Sequence, residues 1–200
     1  MTSLLSGARS QRVQDAAGYL LHAAAWKETS LIVRVFTRDH GNVAMVAKGA
    51  KRPHSALRAV LTSFQPLALS WSGAGEIKTL ARAECAGIRP LHGRAFMSAW
   101  YMNELLLRLL PREDPHDTLY DAYDEALAAL AQGSRAAGAL RRFEWTLLAE
   151  TGYGLEGATP DFDDPAQEPE LRSSLRARLD ELLAGRPLQT RKVLLALQRL

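Results

Sequence analysis

A short basic stretch, VAKGAKRPHSALR at 46–58, has the residue types that bind a negatively charged polymer. Lys48, Lys51, Arg52 and Arg58 lie within this stretch, which contains no acid. Ammonium and guanidinium groups at this spacing can contact successive phosphates of a nucleic acid, in a salt-sensitive way that reads little base sequence. The stretch therefore predicts a DNA-facing edge. A solvated loop tip is the alternative interpretation of its charges.

Two more basic side chains, Arg34 and Lys78, fall on strands that are predicted to be neighbours in a small barrel. We expect them to extend the same positive face, while Gly49 lets the backbone approach a ligand closely. Aromatic side chains can add stacking on bases. Three aromatic residues of this region are better explained as core: Phe36, Phe64 and Trp71.

The net charge of +3 is unevenly distributed along the 200 residues. Residues 1–82 carry 11 Lys and Arg against 4 acids, a net charge of +7, whereas residues 83–200 carry 14 against 18, a net charge of −4. A basic first part joined to an acidic second part indicates that the first part handles an anionic polymer or surface. The alternative is that the charges only keep a small domain soluble.

Residue constellations that support catalysis are missing from the sequence. The five histidines are scattered, without HxxxH or HExxH spacing, and no G-x-x-x-x-G-K phosphate loop occurs. The GAG triplet at 73–75 joins two predicted strands, and the acidic pair at 163–164 falls in a predicted solvated loop. We therefore predict that the protein is not an enzyme and uses no cofactor. A hydrolase whose site is assembled from dispersed residues is a third hypothesis.

The single cysteine, Cys85, cannot form an internal disulfide and excludes any zinc site built on CxxC pairs, so no metal is expected. We expect Cys85 to be a small buried hydrophobic residue. No apolar run approaches the roughly 20 residues of a membrane span, and the first residues lack the apolar stretch of a signal peptide. These features predict a cytoplasmic protein with no membrane partner.

Alternation with a period of two dominates from 13 to 84 and predicts β-strands. Leu31, Val33 and Val35, for example, alternate with more polar or differently facing neighbours. Five short strands in one segment suit a small closed barrel, which leaves no exposed sheet edge. The predicted strands cover 14–25, 30–37, 42–50, 66–72 and 76–84, with a short helical piece at 55–62.

After Pro90 the apolar period changes to three or four residues, which predicts helices. The fold class is thus α+β, a five-stranded barrel at 1–84 followed by an all-α domain at 85–200, with 1–12 as a flexible basic arm. The predicted helices cover 93–110, a segment from an Asp114 N-cap to Gly133, 136–151, 170–185 and 190–200, with an exposed acidic loop at 155–169.

Several segments, in the same order, resemble the RecO family of bacterial DNA repair mediators. The resemblance covers about 12 to 200 and is carried by these segments: ETSLIV, VAKGAK, FQPL, GEIKTL, YMNELLLRLL, ALRRFEWTLLAETGYGLE and GRPLQTRKVLLAL. It implies that the barrel is an OB-fold. It also implies binding of single- and double-stranded DNA, annealing of complementary strands, and action with RecR to help RecA replace SSB. It implies that the protein uses no nucleotide and makes or breaks no covalent bond. It also implies that the protein is associated with the nucleoid.

The resemblance further implies contact with the acidic, hydrophobic C-terminal tail of SSB through an apolar pocket edged with arginines. Arg141 and Arg142 occupy the matching positions in this sequence, so the resemblance implies that they edge the pocket. A guanidinium at a pocket rim suits a terminal carboxylate. The alternative is that the two arginines face solvent and balance the negative charge of Glu144 and the acidic helices. The chain departs from the family pattern at 155–169, where many members carry a four-cysteine zinc motif, and the region after it is shorter.

Two function hypotheses from different classes follow. The leading one is a non-enzymatic DNA-binding mediator, and its basis is the uneven charge, the basic stretch at 46–58 and the RecO-like segments. The alternative is a protein-interaction adaptor that binds the SSB tail without direct DNA contact.

Overall fold

The structure is a computed structural model of the chain, and it describes residues 12–133, 136–190 and 193. Those residues form two compact units. The first consists of the residues up to Thr37 together with Val43–Gly87, and the second of Arg38–Asn42 together with the residues from Ile88 onward. The predicted basic arm at 1–12 lies almost wholly outside the described residues.

The first unit contains a closed barrel of five strands in the order β1-β2-β3-β5-β4, with β3 and β5 parallel. Together with the helices that follow, it confirms the predicted fold class. β3 ends earlier than predicted, because residues 48–50 form a turn. The elements are β1 (Arg12–Trp26), β2 (Ser30–Thr37), β3 (Gly41–Ala47), α1 (Ala56–Val60), β4 (Pro66–Ser72) and β5 (Ile77–Cys85).

The barrel closes through β1, which pairs with β4 along its first half and with β2 along its second half. Gly18 pairs with both Leu67 and Thr37. A Cβ at Gly18 would lie 2.9 Å from a methyl group of Leu69 and 3.1 Å from the carbonyl oxygen of Phe36. Glycine is therefore the residue that lets the two pairings meet on one strand.

Alternate strand residues fill the barrel core, as the sequence pattern predicts. The prediction that Phe36, Phe64 and Trp71 are core residues is confirmed, since each is buried. The prediction for Cys85 is wrong. Cys85 is exposed at the end of β5, where its Sγ–H donates to the carbonyl oxygen of Gly87 at 2.9 Å.

The second unit is helical, and its helices pack in sequence, α2 on α3, α3 on α4 and α4 on α5. The predicted Asp114 cap is wrong, because His116 occupies the N-cap position of α3 and makes no side-chain cap hydrogen bond. The predicted end at Gly133 is confirmed by its left-handed conformation. The helices are α2 (Gly93–Leu109), α3 (Asp117–Gln132), α4 (Ala136–Glu150) and α5 (Glu168–Leu182). None of the described helices is long and apolar enough to cross a membrane.

The predicted acidic loop is largely exposed, but one of its residues packs on α4. Phe162 is half-buried, and its ring meets the edge of Trp145 with centroids 6.3 Å apart. A Cβ at Gly138 would lie 2.4 Å from the carbonyl oxygen of Phe162. The loop is thus held close to the backbone of α4, because glycine leaves room there.

A carboxylate on α2 holds the segment that leads into the last predicted helix. Glu104 accepts hydrogen bonds from the backbone N–H of Gln189 at 2.7 Å, and from the N–H and hydroxyl of Thr190 at 3.0 and 2.8 Å. Arg108 donates to Glu104 at 2.6 Å and to the carbonyl oxygen of Arg186 at 3.0 Å. Residues 189, 190 and 193 are helical, and the remainder of the predicted helix at 190–200 lies outside the described residues.

The hydrogen bonds outweigh the cost of burying this carboxylate. Burial raises the pKa of Glu104. The hydrogen bonds from Thr190 and Gln189, together with the charge of Arg108, lower it by more, so the pKa lies below its ordinary value of 4.5. The ionised carboxylate therefore stabilises the folded protein.

Replacing Glu104 by glutamine (Glu104→Gln) should lower the free energy of unfolding by roughly 1–2 kcal/mol at about pH 7, because a neutral amide caps a helix start less well. The folded-state pKa is depressed, so the wild-type advantage is complete above the ordinary pKa of 4.5. It is lost as the pH falls through the folded-state value. Urea unfolding, followed by circular dichroism over this pH range, measures the difference.

Glu181→Gln is the matched control, since the Glu181 side chain is 69% exposed and pairs with Arg178 at 2.9 Å. An exposed pair of this kind contributes at most about 1 kcal/mol. Equal destabilisation by the two variants, or a pH-independent effect of Glu104→Gln, would contradict the capping role of Glu104.

Candidate nucleic-acid interface

Five exposed cations lie around the start of the connection between β3 and β4 and the nearby β1–β2 turn. Among the residues that the structure describes, none of the five forms an ion pair with an acid. Their charges are therefore available to a ligand in solution. We call these residues the basic patch: Lys27, Lys48, Lys51, Arg52 and Arg58.

Backbone hydrogen bonds position the basic patch. The N–H of Lys51 donates to the carbonyl oxygen of Thr29 at 2.9 Å, so the connection after β3 is attached to the β1–β2 turn. The ammonium of Lys51 also donates to the carbonyl oxygen of Lys27 at 3.3 Å. These two bonds join parts of the patch that are far apart in sequence. Glu28 is the single acid of the turn at 27–29.

Gly49 has a backbone reason to be glycine, because its φ of +71° is in the left-handed region. The N–H of Arg52 donates to the carbonyl oxygen of Gly49 at 3.0 Å and closes a turn. A Cβ at Gly49 would lie 3.7 Å from Cδ and Nε of Arg52. The Arg52 side chain thus extends alongside Gly49, in the space where we expected a ligand to approach.

Arg58 lies on the exposed side of α1. Leu57, Val60 and Leu61, on the other side, pack against the barrel core. The helix is short, and its apolar contacts rather than its length hold it in place. α1 therefore presents Arg58 to solvent while its opposite face packs on the barrel.

The two strand residues of the predicted positive face differ in their placement. Arg34 is half-buried on the outer side of β2, opposite His22 of β1. Lys78 is 7% exposed, and its ammonium donates to the carbonyl oxygen of Gly75 at 2.8 Å. Lys78 holds the β4–β5 turn and is not part of the basic patch. The expectation of DNA contact at Lys78 does not fit this burial.

The two arginines of α4 also differ. Arg141 is 7% exposed, and its Nη2 donates to Oε1 of the buried Glu144 at 3.0 Å. The hydroxyl of Tyr101 donates to the same oxygen at 2.8 Å. The Arg141 Nε is buried without a hydrogen-bond partner among the described residues. This arginine belongs to a buried ion pair, and its burial does not fit the predicted place at a pocket rim.

Arg142 is exposed, and its guanidinium carbon lies 5.3 Å from the ring centroid of Phe162, a cation–π contact. It borders a small groove of about 190 Å³ between α3 and α4. Three alanines line the groove, but so do two carboxylates. The lining residues are Ala122, Glu125, Ala129, Ala139, Arg142 and Asp163.

Within the described residues, no three or more His, Cys, Asp or Glu side chains are grouped so as to hold a metal ion. The candidate interface consists of the five cations of the basic patch and one exposed ring at the same turn, that of Trp26, which is 45% exposed. Such a set can bind a polyanion by electrostatic attraction and hydrogen bonding.

Comparison with known proteins places both units in one family. Residues 12–89 match the family description Recombination protein O N terminal, and residues 91–158 match Recombination protein O C terminal. A protein of Aromatoleum aromaticum named DNA repair protein RecO is 53% identical over 165 residues, which cover 80% of this chain and 69% of that protein. The chain belongs to the RecO family. The resemblance of the sequence segments to RecO is thereby confirmed.

Two further RecO proteins match nearly the whole chain. The protein of Cupriavidus metallidurans is 44% identical over 241 residues, covering 96% of this chain and 81% of its own length. That of Ralstonia nicotianae is 43% identical over 235 residues, covering 94% and 86%. Both alignments are longer than the 200 residues of this chain, so these relatives carry residues that this RecO chain lacks. The family to which the chain belongs is one of DNA repair and recombination.

The sequence pattern does not single out two residues of the interface, Trp26 and Lys27. Both lie where β1 turns into β2, in a segment whose alternation indicates only a strand. The available signal is the WKE sequence at a predicted strand end, where two charged residues directly follow an aromatic one. The hydrogen bonds of Lys51 to this turn, which make Lys27 part of the basic patch, are visible only in the tertiary structure.

Replacing Arg141 by alanine (Arg141→Ala) should lower the free energy of unfolding by about 3–5 kcal/mol, because the Glu144 carboxylate would remain buried without its cation. Arg142→Ala is the matched control in the adjacent position, and it loses only an exposed cation–π contact of about 0.5–1 kcal/mol. Urea unfolding measures both. Similar values for the two variants would contradict the difference in burial.

Proposed function

We propose that this RecO-family protein is a DNA-binding mediator of recombination and repair. It binds single- and double-stranded DNA, anneals complementary strands and, with RecR, helps RecA to load on SSB-coated DNA. The observation that carries the proposal is the basic patch, five exposed cations on a barrel in the region that matches the RecO N-terminal family. The protein acts without a nucleotide and without making or breaking covalent bonds.

The physics of a polyanion explains why such a patch suits mediation. Two DNA strands repel each other through their phosphates, and cations on a shared surface lower that repulsion. Each phosphate contact releases condensed counterions, so binding is driven by charge and tolerates any base sequence. A mediator must act wherever single strands arise, and contacts to phosphates, which are the same at every base, provide this generality.

The DNA contacts are proposed for residues with different surroundings. Lys48, Lys51 and Arg52 form the centre, because they follow β3 directly and are exposed. Arg58 on α1 extends the surface, and Arg34 on the outer side of β2 flanks it. Lys78 is left out, because it is only 7% exposed and its ammonium donates to the carbonyl oxygen of Gly75.

Removing central cations tests the proposal. Binding of a labelled single strand should be weaker in each of Lys48→Ala, Lys51→Ala and Arg52→Ala. Each variant loses one phosphate contact, so the slope of log affinity against log salt should become shallower by about 1. The loss of affinity should be the same for single strands of different base sequence. Fluorescence anisotropy at several salt concentrations measures both quantities.

Arg82→Ala is the control, because it removes an exposed arginine from the same barrel. Arg82 pairs with Glu84 and lies 3.9 Å from Asp15, so these two carboxylates already neutralise its charge. Binding that is insensitive to salt, or an equal loss in Arg82→Ala and the patch variants, would contradict a phosphate-binding role for the basic patch.

We further propose that the groove beside Arg142 receives the acidic, hydrophobic C-terminal tail of SSB. Its alanines offer an apolar floor, and the Arg142 guanidinium can pair with a terminal carboxylate. Glu125 and Asp163 repel an acidic peptide at the same place, so the contact depends on Arg142. Arg141 has no part in this contact, because it is buried with Glu144.

Arg142→Ala should weaken binding of an SSB tail peptide by about 10-fold or more, the loss of one charge-assisted pair, and leave DNA affinity unchanged. Arg172→Ala, an exposed arginine on α5, is the control. Isothermal titration calorimetry measures the affinity for the peptide, and fluorescence anisotropy measures the affinity for DNA. Unchanged peptide binding would contradict the groove assignment.

The adaptor hypothesis remains the alternative, because the groove could act without any DNA contact. A pull-down with SSB that lacks its tail separates the two functions. An adaptor would lose all association with SSB-coated DNA, whereas the proposed mediator would keep its affinity for bare oligonucleotides.

A further inference from the structure

The β1–β2 hairpin extends beyond the part of β1 that β4 covers. β4 pairs with β1 only as far as Tyr19, whereas β2 continues to pair with β1 up to Trp26. Every residue from His22 to Trp26 is exposed. The hairpin end is therefore a two-stranded ribbon whose β1 strand has solvent on its far side.

The two faces of this ribbon differ. In an antiparallel pair, directly opposite residues share a face. The inner face carries Val33, which is fully buried in the barrel core. The outer face carries three directly opposed pairs: Trp26 with Ser30, Ala24 with Ile32, and His22 with Arg34.

Trp26 is the large aromatic side chain of this outer face, and it is 45% exposed. Its ring makes no contact with another aromatic ring among the described residues. Its nearest neighbours on this face, Ala24 and Ser30, have small side chains. A tryptophan with this much of its surface in water costs hydrophobic free energy that a buried ring would not.

The basic patch begins at the same turn. Lys27 follows Trp26 directly, and Lys51 donates from its backbone and its ammonium to the carbonyl oxygens of Thr29 and Lys27. The turn therefore holds an exposed indole directly beside Lys27, and the hydrogen bonds of Lys51 attach the rest of the basic patch to the same turn. Proteins that bind single strands combine these two elements, cations for the phosphates and an aromatic face for the bases.

We propose that Trp26 stacks on an unpaired base of single-stranded DNA whose phosphates contact the basic patch. The bases of a duplex are already stacked on one another, so Trp26 would favour single strands over duplexes. This inference rests on the proposed DNA binding, which it extends by a base-binding site.

The test compares Trp26→Ala, Trp26→Phe and the wild-type chain on three ligands of equal length: oligothymidylate, an abasic strand and a duplex. Trp26→Ala should bind oligothymidylate about 5- to 150-fold more weakly, the contribution of one stacked base. Its affinity for the abasic strand and the duplex, and its salt slope on all three, should equal those of the wild type. Trp26→Phe keeps an aromatic face and should retain most of the affinity.

Tryptophan fluorescence supplies a second readout. Oligothymidylate should quench the emission of the wild-type chain and leave that of Trp26→Phe unchanged. Tyr153→Ala is the control for loss of an exposed aromatic side chain, since Tyr153 is 47% exposed on the second unit. It should bind all three ligands as the wild type does.

The outcomes separate the two proposals. Equal, salt-dependent binding of oligothymidylate by Trp26→Ala and the wild type would overturn the stacking site and leave the mediator function standing. An equal loss on the abasic strand and the duplex would also overturn stacking. Absence of binding to all three ligands by the wild-type chain would overturn both proposals.

Discussion

β1 hydrogen-bonds to β4 through its first half and to β2 through its second half, and Gly18 pairs with both partners. A strand that serves two neighbours in this way closes the barrel and removes its open edges. It must also be longer than either partner, and the part of β1 that β4 does not cover forms the exposed end of the β1–β2 hairpin. Barrel closure therefore places Trp26 and Lys27 in solvent.

The same closure gathers the basic patch. β3 ends at Ala47, and the turn that follows is attached to the β1–β2 turn by the N–H and ammonium of Lys51. Cations from two separated segments then lie together without an acidic partner among the described residues. Like charges at close range repel, and a polyanion relieves that repulsion. A bound polyanion would therefore stabilise this arrangement of cations.

Burial separates the charges that support the fold from those that face solvent. Lys78 binds the carbonyl oxygen of Gly75, and Arg141 pairs with Glu144, each with less than a tenth of its surface exposed. A buried charge must have a partner, because desolvation is costly. The adjacent Arg142 has its guanidinium over Phe162 and remains exposed. Neighbours in sequence therefore have different roles, and periodicity alone distinguishes them poorly.

The sequence by itself determined the five-stranded barrel, the helices after Pro90 and the acid-free basic stretch, because alternation, helical period and charge are local properties of the chain. Only the tertiary structure decided which side chains are exposed. Cys85 is exposed where a buried residue was expected, Lys78 and Arg141 are buried, and Trp26 is in solvent. The reason is that exposure depends on what other segments cover, and the partner of Trp26 or Arg141 is set by long-range pairing and packing that no local pattern contains.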